Sequence, residues 1–272
     1  MGSYVTVASV RRTSGISSTQ ISDADVESAI VEVEAQVPRE FNTVFTPTQK
    51  IEILDGNGTN RILLMGNPLL SVRELKIDGD STDVADLNVY KESGYIELST
   101  SSSTNVFKDL SNTVVVKYLY GMMENSGTTT TTDTASVAGT SVALSVASAI
   151  SFSADDWVEV YGMDGHKEVA QVSATDTGEI TVDQLVFTHE SGSIVELLEV
   201  NPIFTKLMNI ITSIQLVARV VGESASDIVG YTITEFHVQK GEPYTQWRET
   251  ATQLIRERDR LMEKVKIRFY IV

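Results

Sequence analysis

Leu54-Asp-Gly-Asn-Gly-Thr59, Asn67-Pro-Leu-Leu-Ser-Val72, Gly94-Tyr-Ile-Glu-Leu98 and Val114-Val-Val-Lys-Tyr-Leu-Tyr-Gly121 are four pieces of one pattern: short apolar or alternating runs bounded by Gly, Asn, Asp and Pro. A period of two puts successive side chains on opposite faces. The pattern therefore predicts a small antiparallel sheet between Lys50 and Met122, with Ile51, Ile53, Val72, Leu75, Val114 and Val116 among its apolar positions. Asp55-Gly56-Asn57-Gly58 is expected to be a hairpin turn, because Gly and Asn tolerate the positive φ of tight turns. Neither this stretch nor Asp78-Gly79-Asp80-Ser81-Thr82-Asp83 completes a calcium loop. The sixth positions are Asn60 and Asp83 where Gly is required, and the twelfth are Gly66 and Val89 where a bidentate Glu belongs.

Helical periods flank this β region. Ser22 is placed to cap a helix, with Asp25 three residues later and Ile21 against Val26 as a hydrophobic staple. Val26, Ile30, Val33 and Val37 follow at helical spacing, Pro38 ends or kinks the stripe, and Glu27, Glu32 and Glu34 are expected on a solvated face. Far downstream, Asn201-Pro202 starts a second helix and Gly222 closes it. Its apolar residues cover well over half of the circumference, yet Lys206, Asn209, Thr212, Ser213, Gln215 and Arg219 are too many polar groups for a membrane span. This helix is expected at the centre of a bundle or beneath a neighbouring subunit. A last helix begins near Pro243 and carries Trp247, Ala251, Leu254 and Leu261 inside, with Arg256, Arg258, Arg260 and Lys264 outside. From Lys266 the period changes: Ile267, Phe269 and Ile271 alternate with Lys266, Arg268 and Tyr270, which reads as a strand with no hairpin partner beside it.

Between these parts the composition breaks at Ser126-Gly127 and five threonines, Thr128 to Thr132, which read as an exposed, extended linker. Strand signals resume at Ser141–Leu144, Trp157–Tyr161, Glu168–Val172, Glu179–Val182 and Ile194–Leu198, separated by turns at Gly162, Gly165, Gly178 and Gly192. Near-regular spacing of short strands predicts a small β-barrel or sandwich. Residues 128–199 are thus expected to be an inserted β domain, separable from a host formed by 1–127 and 200–272.

The 272 residues, 42% of them hydrophobic, suffice for one large core or two smaller ones. Without cysteine the chain makes no disulfide and no thiolate chemistry. The N-terminus shows no apolar signal-peptide stretch, so export by the usual routes is not expected. The net charge of −16 is uneven: 10 basic and 17 acidic residues in 1–127, 1 and 12 in 128–199, 10 and 8 in 200–272. A middle segment with Lys167 as its single cation repels phosphates, whereas the C-terminal segment can approach an acidic surface. His166 lies near Asp164, His189 beside Glu190, and His237 in the C-terminal part. None has zinc-site spacing, so surface or turn positions are expected. No nucleophile elbow and no phosphate-cradling loop ending in Lys-Ser/Thr is present, so neither catalysis nor a metal or cofactor is expected.

The capped acidic helix at Ile21, the Asp55-Gly56 turn, the Asn67-Pro68 strand start, the Ser93-Gly94-Tyr95 turn, the Val114–Gly121 strand and the helix opened at Asn201-Pro202 occur in a telling order. With Gly222-Glu-Ser-Ala-Ser226, Gly230-Tyr231 and the late charged helix, that order resembles the head-tail connector adaptors, or head-completion proteins, of tailed viruses. The resemblance covers everything except the insert; in that family the Pro-initiated helix follows closely after the strand that here ends at Gly121, and the insert's role is not inherited. It implies an α+β fold, a helical connector core with a small antiparallel β subdomain. It also implies a virion protein of the head-tail interface, assembled in the host cytoplasm, whose copies form a ring, commonly twelvefold. Such a ring docks under the portal protein, meets a tail or stopper protein, and continues the channel through which genomic DNA passes without sequence-specific binding. No membrane is involved. The sticky subunit face is assigned to the helix at 202–221, a non-adhesive lumen to the acidic excess, and the portal grip to the C-terminal strand. Trp247, Arg256, Arg258, Ile267, Arg268, Phe269, Tyr270 and Ile271 are the expected partner-binding residues. The rival expectation is a carbohydrate-binding or adhesive β module, motivated by Trp157, Tyr161 and His166 in the Thr-rich acidic insert.

Overall fold

The computed structural model describes residues 4–40, 44–99, 106–163, 165–224 and 242–270. Asp164, Ser226, Gly230, Tyr231, His237 and Ile271, all singled out above, lie outside the described residues. The chain divides into two compact units, Met1–Asn42 with Asn201–Val272, and Thr43–Val200.

The larger unit is built of antiparallel sheets, with one 3-10 turn at Val84–Asp86. Strands β1 (Thr48–Leu54), β2 (Arg61–Leu63), β3 (Leu69–Ile77), β4 (Asp80–Thr82), β5 (Leu87–Tyr90), β6 (Tyr95–Leu98) and β7 (Val114–Tyr120) come first. They make a four-stranded sheet in the order β1-β7-β3-β4 and a three-stranded sheet in the order β2-β6-β5. Both sheets contribute to one core, in which Leu69, Leu75, Ile96, Phe107 and Tyr118 are fully buried. The turn between β5 and β6 is closed by the Gly94 amide donating to the Tyr90 carbonyl at 3.0 Å, with Gly94 at φ 71°.

Asp55–Gly58 is not a hairpin turn, because β1 and β2 belong to different sheets. Gly56 is required there by close approach: a Cβ on it would lie 1.6 Å from the Lys108 carbonyl oxygen. The Gly56 amide donates to Leu110 O and the Gly58 amide to Phe107 O, so the segment is laced to the 107–110 backbone.

The second group of strands is β8 (Met123–Thr131), β9 (Gly139–Ser145), β10 (Trp157–Tyr161), β11 (Lys167–Asp176), β12 (Glu179–Leu185) and β13 (Ile194–Val200). They form one sheet in the order β8-β13-β10-β11-β12-β9. Its two edges are tied over a short stretch, where Asp133 N donates to Ser145 O and Ala147 N to Thr131 O, so the sheet curls around a core of Leu144, Val158, Val160, Val172, Ile180 and Val182. The threonine run is therefore a strand and not a linker. Thr130 and Thr132 are buried while Thr129 and Thr131 are exposed, a period of two that identical residues conceal in the sequence.

This sheet packs on the first. Leu70 and Leu119 share a small core with Val169 and Leu198. Arg73 on β3, 5% exposed, reaches across to donate to Gln184 O and Val169 O, each at 2.8 Å, with Asp183 at 3.5 Å. Lys91 is ion-paired with the buried Glu159 of β10.

The helical unit joins both chain ends: α1 (Val7–Ser14), α2 (Asp23–Glu40), α3 (Pro202–Ser224) and α4 (Glu242–Tyr270). Helix α1 has no counterpart among the sequence expectations, although Thr6 and Ser9 form a capping box and Gly15 closes the helix in the left-handed region. Ser22 caps α2 as expected, its hydroxyl accepting from Asp25 N, and the helix runs past Pro38 to Glu40. Glu34 is not simply solvated; it accepts from the amides of Tyr4 and Val5. Helix α3 runs past Gly222 and packs on all three other helices. It is long and apolar enough to cross a membrane, and it forms the core of this unit through Phe204, Leu207, Met208, Leu216 and Val217. Thr212 and Ser213 are buried without cost to that core, because their hydroxyls donate back to Met208 O and Asn209 O.

A helical connector core is thus the wrong description of this fold. Three antiparallel sheets of four, three and six strands give 38% strand against 29% helix, with four helices among the described residues. The β part was undercounted because the threonine strand read as linker and the pieces between Lys50 and Met122 as a small subdomain. The C-terminal strand is corrected too: Lys266–Tyr270 continue α4 as helix.

One feature of β1 inverts the simplest alternation rule. Glu52, 7% exposed, points inward, and Ile51 and Ile53 point out. The carboxylate accepts from the Tyr118 hydroxyl at 2.7 Å and from the Met65 amide, and pairs with Lys50, while the Tyr118 oxygen accepts from Gly66 N. Burial works against the Glu52 charge, but the bonds from Lys50, Tyr118 and Met65 outweigh it and hold the carboxyl below its usual range. Burial and the bond to Glu52 push the Tyr118 hydroxyl above the usual tyrosine range. A group held neutral in the folded state contributes stability that is complete below its unfolded pKa, about 10 for tyrosine, and declines above it. Stability measured by urea unfolding should therefore fall above pH 10. Tyr118→Phe should cost about 1–3 kcal/mol at pH 7 and flatten that decline; an unchanged alkaline slope would contradict the network.

Candidate functional site

Helix α4 carries most of the sequence-expected partner-binding residues. Trp247 is half-buried, and Ala251, Leu254 and Leu261 are buried. Arg256 is exposed; Arg258 is half-buried and bonded to the neighbouring Asp259 at 2.6 Å. Glu257 joins Lys206 of α3 at 2.5 Å and Arg260 at 3.3 Å, and Lys206 holds its carboxyl below the usual range. The backbone of Ile267, Arg268, Phe269 and Tyr270 is helical, so docking by strand addition is not available to it, and Ile271 lies outside the described residues. The helix brings out a different pattern. Arg256, Arg260 and Lys264 are all exposed and recur every four residues, a spacing that stacks them on one face. The same spacing reaches Arg268 in the sequence.

A second surface was invisible to the sequence reading. Among the described residues strand β1 pairs with β7 alone and forms an edge of the four-stranded sheet. Ile51 and Ile53 on it are 60% and 62% exposed, and Leu63 and Met65 are exposed as well. Seven residues long, free of proline and apolar on its outer face, this edge has few of the features that keep strands from pairing with other chains. The signal lay in Tyr118, whose hydroxyl demands an acceptor at the inner position of the strand beside it.

The third feature is a pocket of about 600 Å³ in the β unit, between β3, β5 and the start of β11. His166, Lys167, Lys91, Asn88 and Tyr90 line it, and Ser71 and Leu70 line it from β3. His166 stacks on Phe187 with ring centroids 4.4 Å apart, and the Lys167 ammonium lies 4.5 Å from the Tyr161 ring centroid. His189 is not here and not at the surface. It is fully buried, with Nε2 2.8 Å from Glu168, whose carboxylate also accepts from the amides of Val186 and Phe187. That set is a structural staple of the β11–β12 region. Among the described residues no group of three or more His, Asp or Glu side chains is placed to hold a metal ion.

Neither a protein-family model nor a curated protein sequence matches this chain.

Proposed function

We propose that this chain is a structural head-tail connector adaptor of a tailed virus, whose copies assemble into a ring between the portal and the tail or stopper protein and continue the DNA channel. The order of motifs from Ser22 to Pro202 motivates the reading, and the open β1 edge carries it. Helix α3 is occupied within its own bundle, so it is not the sticky face. The β1 edge takes that role, pairing with a second copy of the chain and covering Ile51 and Ile53. A head-to-tail contact of this kind, repeated with a rotation that closes, produces a ring. The basic stripe of α4 faces an acidic surface on the portal. The acidic excess of 128–199 suits a surface past which DNA moves without sticking.

The test is Ile51→Lys with Ile53→Lys. Both side chains are exposed in the single chain, so its stability should change by less than about 0.5 kcal/mol. A Lys pair on a strand edge opposes pairing, and light scattering should report monomer where the wild type is oligomeric. An unchanged oligomer mass would remove β1 from the assembly contact.

A further inference from the structure

We propose that the pocket between β3, β5 and β11 binds a monosaccharide carrying one acidic group. This inference is independent of ring assembly.

Four observations converge on it. First, the lining is basic where the chain is acidic: Lys91, paired with Glu159, and Lys167 line the pocket with His166, and among the described residues no Asp or Glu lines it, in a protein with 37 acidic and 21 basic residues. Lys167 is the single cation of residues 128–199, and it stands here. Second, Ser71 lines the pocket at 3% exposure, and its hydroxyl has no hydrogen-bond partner among the described residues. A buried unpaired hydroxyl is costly unless a ligand group completes it. Third, the lining supplies what a pyranose ring needs, an aromatic side chain in Tyr90, one face of whose ring is stacked on Tyr95, and an amide in Asn88, beside apolar walls. Fourth, the volume of about 600 Å³ suits one or two sugar rings.

The division of labour follows from donor counts. Lys91 spends one of its three N–H donors on Glu159 and keeps two for the ligand's acidic group. Lys167 reaches the same group by moving its ammonium off the Tyr161 ring, where it rests 4.5 Å from the centroid. Ser71 and Asn88 take sugar hydroxyls. A carboxylate and a phosphoryl group are equally suited to the two lysines, so the source of the charge is an outcome of the experiment.

Isothermal titration of the full chain with D-glucuronate, glucose 6-phosphate, D-glucose and inorganic phosphate decides the matter. At least one charged sugar should bind about tenfold or more tightly than glucose and than phosphate alone, the factor expected of a charge-assisted hydrogen bond. Whichever charged sugar binds more tightly identifies the acidic group. Lys167→Ala should weaken binding about tenfold. Ser71→Ala should weaken it several-fold while leaving the melting temperature unchanged or raised, because it removes an unpaired hydroxyl. Absence of binding by both charged sugars, equal binding of glucose, equal binding of phosphate, or a Ser71→Ala variant that binds normally would each overturn the proposal.

Discussion

Arg73→Ala should destabilise the β unit by about 2–4 kcal/mol, whereas Asp183→Asn should cost about 1 kcal/mol or less. The contrast comes from where the two partners lie. The guanidinium side chain is 2% exposed and satisfies two carbonyl oxygens, Gln184 O and Val169 O, at 2.8 Å. Its removal leaves both acceptors without their donor, each with a desolvation cost of about 1–3 kcal/mol. Asp183 is 44% exposed and 3.5 Å away, so water replaces much of what it contributes. Arg73→Lys should recover little, since a single ammonium cannot reproduce the planar fork aimed at two carbonyls. Urea unfolding of the three variants checks the order, and an Asp183→Asn loss equal to that of Arg73→Ala would show that the ion pair, not the carbonyl strap, holds the sheets together.

Reversing the α4 stripe, with Arg256→Glu, Arg260→Glu and Lys264→Glu together, should abolish co-sedimentation with portal-containing heads and leave the oligomer intact. One exposed ion pair contributes about 0.2–1 kcal/mol, so three give about 0.6–3 kcal/mol per subunit. A ring repeats that contact in every copy, and avidity turns a modest loss per subunit into loss of the whole attachment. The core-facing Ala251, Leu254 and Leu261 are untouched, and the Lys206–Glu257 bond to α3 remains, so helicity should persist. Because the contact is electrostatic between exposed groups, wild-type attachment should also weaken as salt rises from 0.05 to 0.5 M. Normal attachment of the reversed variant would move the portal contact off this helix.

The positions of helices and strands were far more legible than their balance or their partners. Caps and spacing revealed α2 and α3 because Ser22, Asn201 and Pro202 act within one turn of chain, and local chemistry is what a sequence displays. All five strands expected beyond the threonine run exist for the same reason. The errors arose where a nonlocal contact decides. Nothing near Asp55 announces that Lys108 will press on Gly56, so a sheet-to-sheet crossing passed for a hairpin. The Thr128–Thr132 strand is specified by its pairing with Ile194 to Glu196, since its own side chains do not alternate in type. The tail has strand periodicity but continues a long helix.

The sites follow the same division. Arg256, Arg258, Arg260 and Lys264 were visible as the charged outside of a helix, and the structure narrows them to Arg256, Arg260 and Lys264 because Arg258 is half-buried beside Asp259. Ile51 and Ile53 were legible as apolar strand positions but not as an exposed edge, because alternation fixes a period and not a phase. The phase is set by Glu52 meeting Tyr118 across the strand. The pocket needed the fold outright: Ser71, Lys91 and Lys167 are separated by 20 and 76 residues along the chain and line one cavity.

The most direct test of the connector reading is a negative-stain image of the purified full chain, at neutral pH and in the presence of portal rings. The reading requires closed rings of uniform subunit number with a central hole wide enough for duplex DNA, stacked coaxially on the portal. A strictly monomeric particle that neither closes into rings nor joins the portal would contradict it.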